Sequence, residues 1–160
     1  MYDTNKDGVI AGEELEKAGS IKSAMANIDA NGDGKVSAEE ITNRVQAWKD
    51  SKIGRMSLSC TVKYRGQPLP DATVTFEPEP FLGDEVKAAT GTTDKFGMAV
   101  LTIPEVRPPG VACGLYRVKI SKQVNGKEQV PPRYNTNTIL GQEVAMDAAG
   151  MEEGIFFNLQ

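Results

Sequence analysis

The sequence predicts an α+β chain in which a small all-α unit precedes an antiparallel β-sandwich. Residues 1 to about 52 are acidic and space their apolar side chains as helices do. Residues from about 55 onward alternate apolar and polar side chains with a period of two. Only residues 51–54 separate the two patterns. We therefore expect two domains, 1–53 and 54–160, that lie against each other.

Composition excludes several classes of function. The 160 residues contain no histidine, which excludes Ser-His-Asp and Cys-His catalysis and ordinary zinc sites. The net charge of −4 argues against nucleic acid as the main partner. No apolar run approaches the roughly 20 residues of a membrane span, and no signal peptide is visible at Met1. We expect a protein that is not an enzyme and has no transmembrane segment in this chain.

The same twelve-residue pattern occurs twice in the N-terminal unit. Residues 3–14 read DTNKDGVIAGEE and residues 29–40 read DANGDGKVSAEE. Calcium takes about 6–8 oxygen ligands, and its loops place them at alternate positions around a glycine turn and close on a bidentate glutamate. Both segments match this loop in full. About a third of the chain therefore resembles a tandem EF-hand pair, which implies two bound calcium ions.

Each loop supplies a defined set of predicted ligands. In the first loop they are Asp3, Asn5, Asp7, the backbone carbonyl of Val9, and Glu14. In the second loop they are Asp29, Asn31, Asp33, the backbone carbonyl of Lys35, Ser37, and Glu40. Ala11 stands where the second loop has Ser37 and cannot ligate, so the first site needs a water there. If only one of the two sites binds calcium, we expect the first site to be the one that does not.

Short helices flank the loops. Apolar stripes at i, i+4 and i+7 lie on either side of the second loop: Ile21, Met25 and Ile28, then Ile41, Val45 and Trp48. Gly19 and Ser20 break the helix between the loops into two pieces, and only two residues precede the first loop, so its entering helix is missing. The loops start 26 positions apart, which favours a static calcium clamp over a sensor with an opening groove.

Two further contacts are expected around the helical stripes. Residues at the eighth loop position, here Ile10 and Val36, face each other across a short antiparallel contact in paired EF-hands. Trp48 comes late enough in the chain to touch the second domain.

The second domain contains several segments with one apolar face. The inward sets are Leu58, Cys60, Val62 and Tyr64; Ala72, Val74 and Phe76; Ala99, Leu101 and Ile103; Tyr116, Val118 and Ile120; and Ile155, Phe157 and Leu159. Turn signals lie at residues 65–66, 94–97 and 125–126. Many short alternating segments separated by turns predict an antiparallel sandwich or barrel.

A second resemblance covers about 105 residues of this domain. Residues 60–78 (CTVKYRGQPLPDATVTFEP), 91–103 (GTTDKFGMAVLTI) and 108–122 (PPGVACGLYRVKISK) are similar to transthyretin-like, carboxypeptidase-regulatory-type domains of bacterial surface and periplasmic proteins. The resemblance implies a seven-stranded Greek-key sandwich that serves as an accessory or interaction module. It also implies an extracytoplasmic location, whether periplasmic, at the cell surface or secreted. One hydrolytic relative needs active-site histidines, which this chain lacks.

That location favours a disulfide between Cys60 and Cys113. Cys60 lies in phase with an inward strand face, and Cys113 directly precedes the strand predicted at 115–121. Strict alternation from Tyr116 places Cys113 outward, unless Gly114 bulges the strand. Two free thiols are the alternative.

The predicted function is calcium binding in an extracytoplasmic structural or interaction protein. Calcium is millimolar outside cells, so even weak loops are filled there. The partners are calcium and, through the sandwich, a protein or a component of the cell envelope. One alternative is a dockerin-like module that docks a partner protein, although dockerin loops usually end in Asp and these end in Glu14 and Glu40. Another is a carbohydrate-binding accessory module.

Overall fold

A computed structural model describes residues 2–107 and 109–160, and it confirms the α+β class. Its helices lie in the N-terminal third and antiparallel strands fill most of the remainder. The helices are α1 (Glu13–Lys17), α2 (Gly19–Ser23), α3 (Met25–Ile28) and α4 (Ala38–Ser51), with 3-10 turns at Pro80–Leu82 and Pro132–Tyr134. Within the described residues, none of these helices has the length and hydropathy of a membrane span.

The strands alternate with short turns along the rest of the chain. In chain order they are β1 (Val9–Ile10), β2 (Val36–Ser37), β3 (Arg55–Met56), β4 (Leu58–Tyr64), β5 (Gln67–Pro68), β6 (Thr73–Pro78), β7 (Ala89–Thr92), β8 (Met98–Leu101), β9 (Val111–Ala112), β10 (Gly114–Ser121), β11 (Gln123–Val124), β12 (Lys127–Glu128), β13 (Gly141–Val144) and β14 (Ile155–Leu159). The turns predicted at 65–66, 94–97 and 125–126 join β4 to β5, β7 to β8 and β11 to β12.

The helix between the two loops is broken twice, not once. The predicted break residues, Gly19 and Ser20, are the first two residues of α2, and the break itself lies one residue earlier, at Ala18, which leaves helical geometry with φ −101° and ψ 58°. A second break at Ala24, with φ −101° and ψ 4°, separates α2 from α3. Helix α4 begins with a capping box, in which Glu40 N donates to Ser37 Oγ at 3.2 Å and Ser37 N donates to Glu40 Oε2 at 2.9 Å.

The strands β1 and β2 join the two loops. They pair antiparallel, with Ile10 opposite Val36 and Val9 opposite Ser37. The predicted contact between the eighth residues of the loops is therefore confirmed. We refer to residues 2–51, which contain this ladder and α1 to α4, as the helical unit.

Two sheets make up the β-rich part of the chain. The first sheet has the order β13-β10-β6-β7, and all its pairings are antiparallel. In the second sheet β4 lies between β14 on one side and both β5 and β8 on the other. One pairing departs from the antiparallel pattern, because β14 runs parallel to β4 from Ile155 opposite Cys60 to Leu159 opposite Tyr64.

The core between the sheets contains the side chains that alternation assigns inward. Except for Tyr64, which is partly buried against this core, every predicted inward residue is buried. Phe76 and Tyr116 are fully buried, with ring centroids 5.9 Å apart. A second apolar cluster lies on the other face of the first sheet, where Leu115 and Ala145 pack with Ile21, Ile28 and Trp48. The helical unit therefore packs on the part of the first sheet's outer face that β13 and the start of β10 form.

The predicted disulfide is wrong, because Cys60 and Cys113 are both free thiols. Cys60 lies in the core between the sheets, whereas Cys113 packs against the apolar cluster on the outer face. The first sheet separates them, as strict alternation from Tyr116 requires. Burial raises the pKa of the Cys60 thiol to about 12. Burial, followed by the nearby charge of Glu143, raises the pKa of Cys113.

Candidate metal centre

The two predicted calcium loops adopt the same backbone turns. Left-handed conformations occur at the fourth position, in Lys6 (φ 61°) and Gly32 (φ 71°). They recur at the sixth position, in Gly8 (φ 89°) and Gly34 (φ 75°). Glycine adopts this conformation without steric cost, which explains the glycine that both loops carry at position six.

Side-chain oxygens of the first loop organise its backbone. Asp3 accepts hydrogen bonds from Asp7 N at 3.2 Å and Gly8 N at 3.1 Å. Asn5 Oδ1 accepts from Asp7 N at 2.9 Å, and Asp7 Oδ1 accepts from Val9 N at 3.0 Å. These bonds fold the chain around the oxygens predicted to bind the ion.

The second loop repeats these bonds at equivalent positions. Asp29 accepts from Asp33 N at 3.2 Å and from Gly34 N at 2.9 Å. Asn31 Oδ1 accepts from Asp33 N at 2.9 Å, and Asp33 Oδ1 accepts from Lys35 N at 2.9 Å. The two segments are thus matched in hydrogen bonding as well as in sequence.

Glu14 closes the first loop by reaching back to its start. Its Oε1 accepts from Thr4 Oγ1 at 2.8 Å, Thr4 N at 2.7 Å and Asn5 N at 3.1 Å. Hydrogen bonds from the Thr4 side chain and then its backbone lower the pKa of Glu14. The carboxylate is therefore held in its charged, ion-binding form.

Three carboxylates converge in the first loop. Oxygens of Asp3, Asp7 and Glu14 all lie within 4.8 Å of one another. Ligands that surround one calcium ion at about 2.3–2.6 Å stand no further apart than about twice that radius. The residues present at this site therefore fit calcium.

Glu40 is engaged differently in the second loop. Its Oε2 accepts from Ser37 N and Ser37 Oγ, both at 2.9 Å, while Oε1 accepts from Ala30 N at 3.2 Å. Backbone and side-chain hydrogen bonds from Ser37 lower the pKa of Glu40. Within residues 2–107 and 109–160, the only group of three His, Cys, Asp or Glu side chains gathered within 4.8 Å is the one in the first loop. In the first loop Ala11 stands at the position of Ser37 and carries no hydroxyl, so Glu14 has no counterpart of the contact with Ser37 Oγ.

The remaining predicted ligands belong to the ladder that joins the loops. Val9 lies in β1 directly opposite Ser37 of β2, and Lys35 immediately precedes β2. A short antiparallel ladder therefore joins the two candidate sites.

A buried carboxylate that sequence reasoning missed anchors the helical unit. Glu143 of β13 is fully buried, and its Oε1 accepts from Arg44 Nε at 2.6 Å and from Trp48 Nε1 at 3.1 Å. Its Oε2 accepts from Asn27 Nδ2 at 3.2 Å. The predicted contact of Trp48 with the second half of the chain is confirmed.

A second buried carboxylate was also missed. Glu79 follows β6 and accepts from Tyr2 OH at 2.8 Å and from Ser20 Oγ, and its other oxygen lies 4.0 Å from Arg117 Nε. Burial, then hydrogen bonding to Glu79, raises the pKa of Tyr2. One sequence signal pointed to this interface: Leu115 is apolar on the face that alternation assigns to solvent.

Comparison with known proteins supports one of the two loops. A family profile described as EF hand matches residues 21–45. This segment contains α3, the entire second loop and the first half of α4. Neither the curated proteins nor the solved structures gave a match. The match supports calcium binding in general.

Proposed function

We propose that the chain binds two calcium ions, one in each loop, through the eleven predicted ligands. The observation that carries this proposal is the repetition of one loop geometry, with the same turns and the same side-chain-to-backbone hydrogen bonds in residues 3–14 and 29–40. The carboxylates gathered in the first loop and the family match over the second support the two sites independently.

We further propose that the ions serve a structural or interaction role outside the cytoplasm. The lack of histidine supports binding over catalysis. Residues 54–160 are proposed to be a transthyretin-like sandwich, which rests on the sequence resemblance and on the two packed sheets. The boundary near residue 53 is supported by the end of α4 at Ser51 and the start of β3 at Arg55. Free thiols at Cys60 and Cys113 do not support an extracytoplasmic location. The proposed location rests on the sequence resemblance and on the millimolar calcium outside cells.

Calorimetric titration of chelator-stripped protein tests the stoichiometry. We expect two calcium ions per chain, and a total of zero or one would refute the two-site proposal. The same titration tests the location, because extracellular modules bind calcium at about 10⁻⁴–10⁻³ M whereas cytosolic buffers bind at about 10⁻⁹–10⁻⁸ M. Affinity in the tighter range would argue for a cytosolic role.

Two matched pairs of substitutions test the ligand assignment. Glu40→Gln removes the charge and one carboxylate oxygen and should weaken the second site sharply, whereas Glu39→Gln, one position earlier and exposed, should leave both sites intact. Glu14→Gln and its neighbour Glu13→Gln form the corresponding pair at the first site. Equal effects within a pair would show that the loop register is wrong.

A further inference from the structure

We propose that calcium binding is coupled to docking of the helical unit on the first sheet, so that sandwich residues which touch no ion set the calcium affinity. This inference rests on the proposed function and adds a means of regulating it. The sheet side of the interface supplies Glu79 and Glu143, both fully buried. Their hydrogen-bond partners lie on the segments that precede, separate and follow the two calcium loops.

Glu79 holds the start of the first loop. Its partner Tyr2 immediately precedes Asp3, the first ligand, and the Tyr2 hydroxyl donates to Glu79 Oε1 at 2.8 Å. Its second partner, Ser20, lies in α2, between the two loops. The position of Asp3 relative to the rest of its loop therefore depends on a contact with the sheet.

Glu143 holds both ends of the second loop. Asn27, whose Nδ2 lies 3.2 Å from Glu143 Oε2, is two residues before Asp29. Arg44, whose Nε lies 2.6 Å from Glu143 Oε1, is one turn beyond Glu40 on α4. A single carboxylate thus fixes the segment that enters the loop against the helix that leaves it.

The backbones of the helical unit and the first sheet are in direct contact. A Cβ atom on Gly141 of β13 would lie 1.9 Å from Ser20 N, and one on Gly19 would lie 2.1 Å from the carbonyl oxygen of Ile139. Real Cβ atoms essentially never approach heavy atoms this closely, so both positions need glycine at the observed separation. The separation between the helical unit and the sheet is therefore fixed by backbone contact at these two glycines.

Linkage follows if the docked arrangement holds the ligands better than the undocked one. A ligand that favours one arrangement stabilises it by the difference in affinity, and the coupling is reciprocal. Calcium should therefore tighten docking, and docking should tighten calcium binding by the same factor. Couplings of this kind are typically about 5- to 150-fold.

The test is calcium titration of full-length Gly141→Ala protein, which carries a new methyl group against α2 and leaves every predicted ligand unchanged. We expect at least a fivefold loss of calcium affinity. Gly54→Ala is the matched control, since a Cβ there meets nothing within 4 Å. Glu143→Gln should weaken calcium binding in the same direction, whereas the exposed Glu153→Gln should leave it unchanged.

Hydrogen exchange in the wild-type chain tests the reverse direction and does not depend on how any variant folds. Removing calcium should speed exchange in β13 relative to β14, which lies in the other sheet. Wild-type affinity in the folded Gly141→Ala and Glu143→Gln proteins, or β13 exchange that ignores calcium in the wild type, would overturn the coupling and leave calcium binding intact. A wild-type chain that binds no calcium would overturn both proposals.

Discussion

Replacing Arg44 by methionine removes the cation from a buried ion pair between α4 and β13. Arg44 Nε lies 2.6 Å from Glu143 Oε1, with side-chain exposures of 9% and 0%. Arg44 also reaches Asp147 Oδ1 at 2.6 Å, but that side chain is 63% exposed. Methionine retains an aliphatic stem of similar length, so the substitution removes mainly charge and hydrogen bonds.

The two contacts of Arg44 differ in their expected energies. Removing one partner of a buried pair costs about 3–5 kcal/mol, because it leaves the other charge buried and uncompensated. An exposed pair contributes no more than about 1 kcal/mol. We therefore expect Arg44→Met to lower the free energy of unfolding by about 3–5 kcal/mol, with Asp147→Asn, as control, costing less than about 1 kcal/mol.

Urea denaturation in saturating calcium measures the free energy of unfolding of both variants. Unfolding is monitored by Trp48 fluorescence and by far-ultraviolet circular dichroism. The double substitution Arg44→Met with Glu143→Met separates charge from packing. Replacing a buried pair by apolar residues of similar volume is often neutral or stabilising. The double variant should recover only part of the loss, because Glu143→Met also removes the acceptor of Trp48 Nε1 and Asn27 Nδ2. A loss below about 1 kcal/mol in Arg44→Met, the range of an exposed pair, would refute the assignment of a buried, charge-dependent contact. So would an equal loss in Asp147→Asn.

Three other outcomes are expected. In denatured, unreduced protein both Cys60 and Cys113 should react with a thiol reagent, and in native protein the half-buried Cys113 should react first; one disulfide per chain by mass would contradict this. A hydrogen bond from Arg44 lowers the pKa of Asp147, so its contribution is complete above about pH 4 and is lost as pH falls through the lower folded value. Asp147→Asn should therefore flatten the acid loss of stability below about pH 4, and an unchanged slope would count against the contact. In Gly91→Ala, a Cβ 2.3 Å from a carbonyl oxygen of β8 should cost about 1–3 kcal/mol by calorimetry, whereas an unaltered Tm would show that the sheets can part there.

The sequence predicted the features that local chemistry determines. Each calcium loop depends on oxygens and glycines at fixed offsets within twelve residues, so Asp3, Asp7 and Glu14 could be assigned before any fold was known. The inward faces of β4, β6, β8, β10 and β14 followed from alternation with a period of two.

Features that depend on distant contacts could not be predicted in this way. Strand β13 was missed because Gln142, Glu143 and Val144 are all buried. A strand that is buried on both faces lacks the apolar–polar alternation of a strand with one solvent-exposed face. The break at Ala24 has no sequence signal, since alanine is the best helix former. The partnership of Arg44 with Glu143 joins residues 99 positions apart, which no local pattern encodes.

The parallel pairing of β14 with β4 has a consequence for the order in which the chain can fold during synthesis. Cys60 is made 95 residues before its strand partner Ile155. The backbone groups along that edge of β4 therefore stay open while most of the chain is translated, and open strand edges invite pairing with other chains. The calcium loops need only twelve residues each and can close much earlier. The calcium loops are thus synthesised first, and β14, which completes the second sheet, is synthesised after all the other strands.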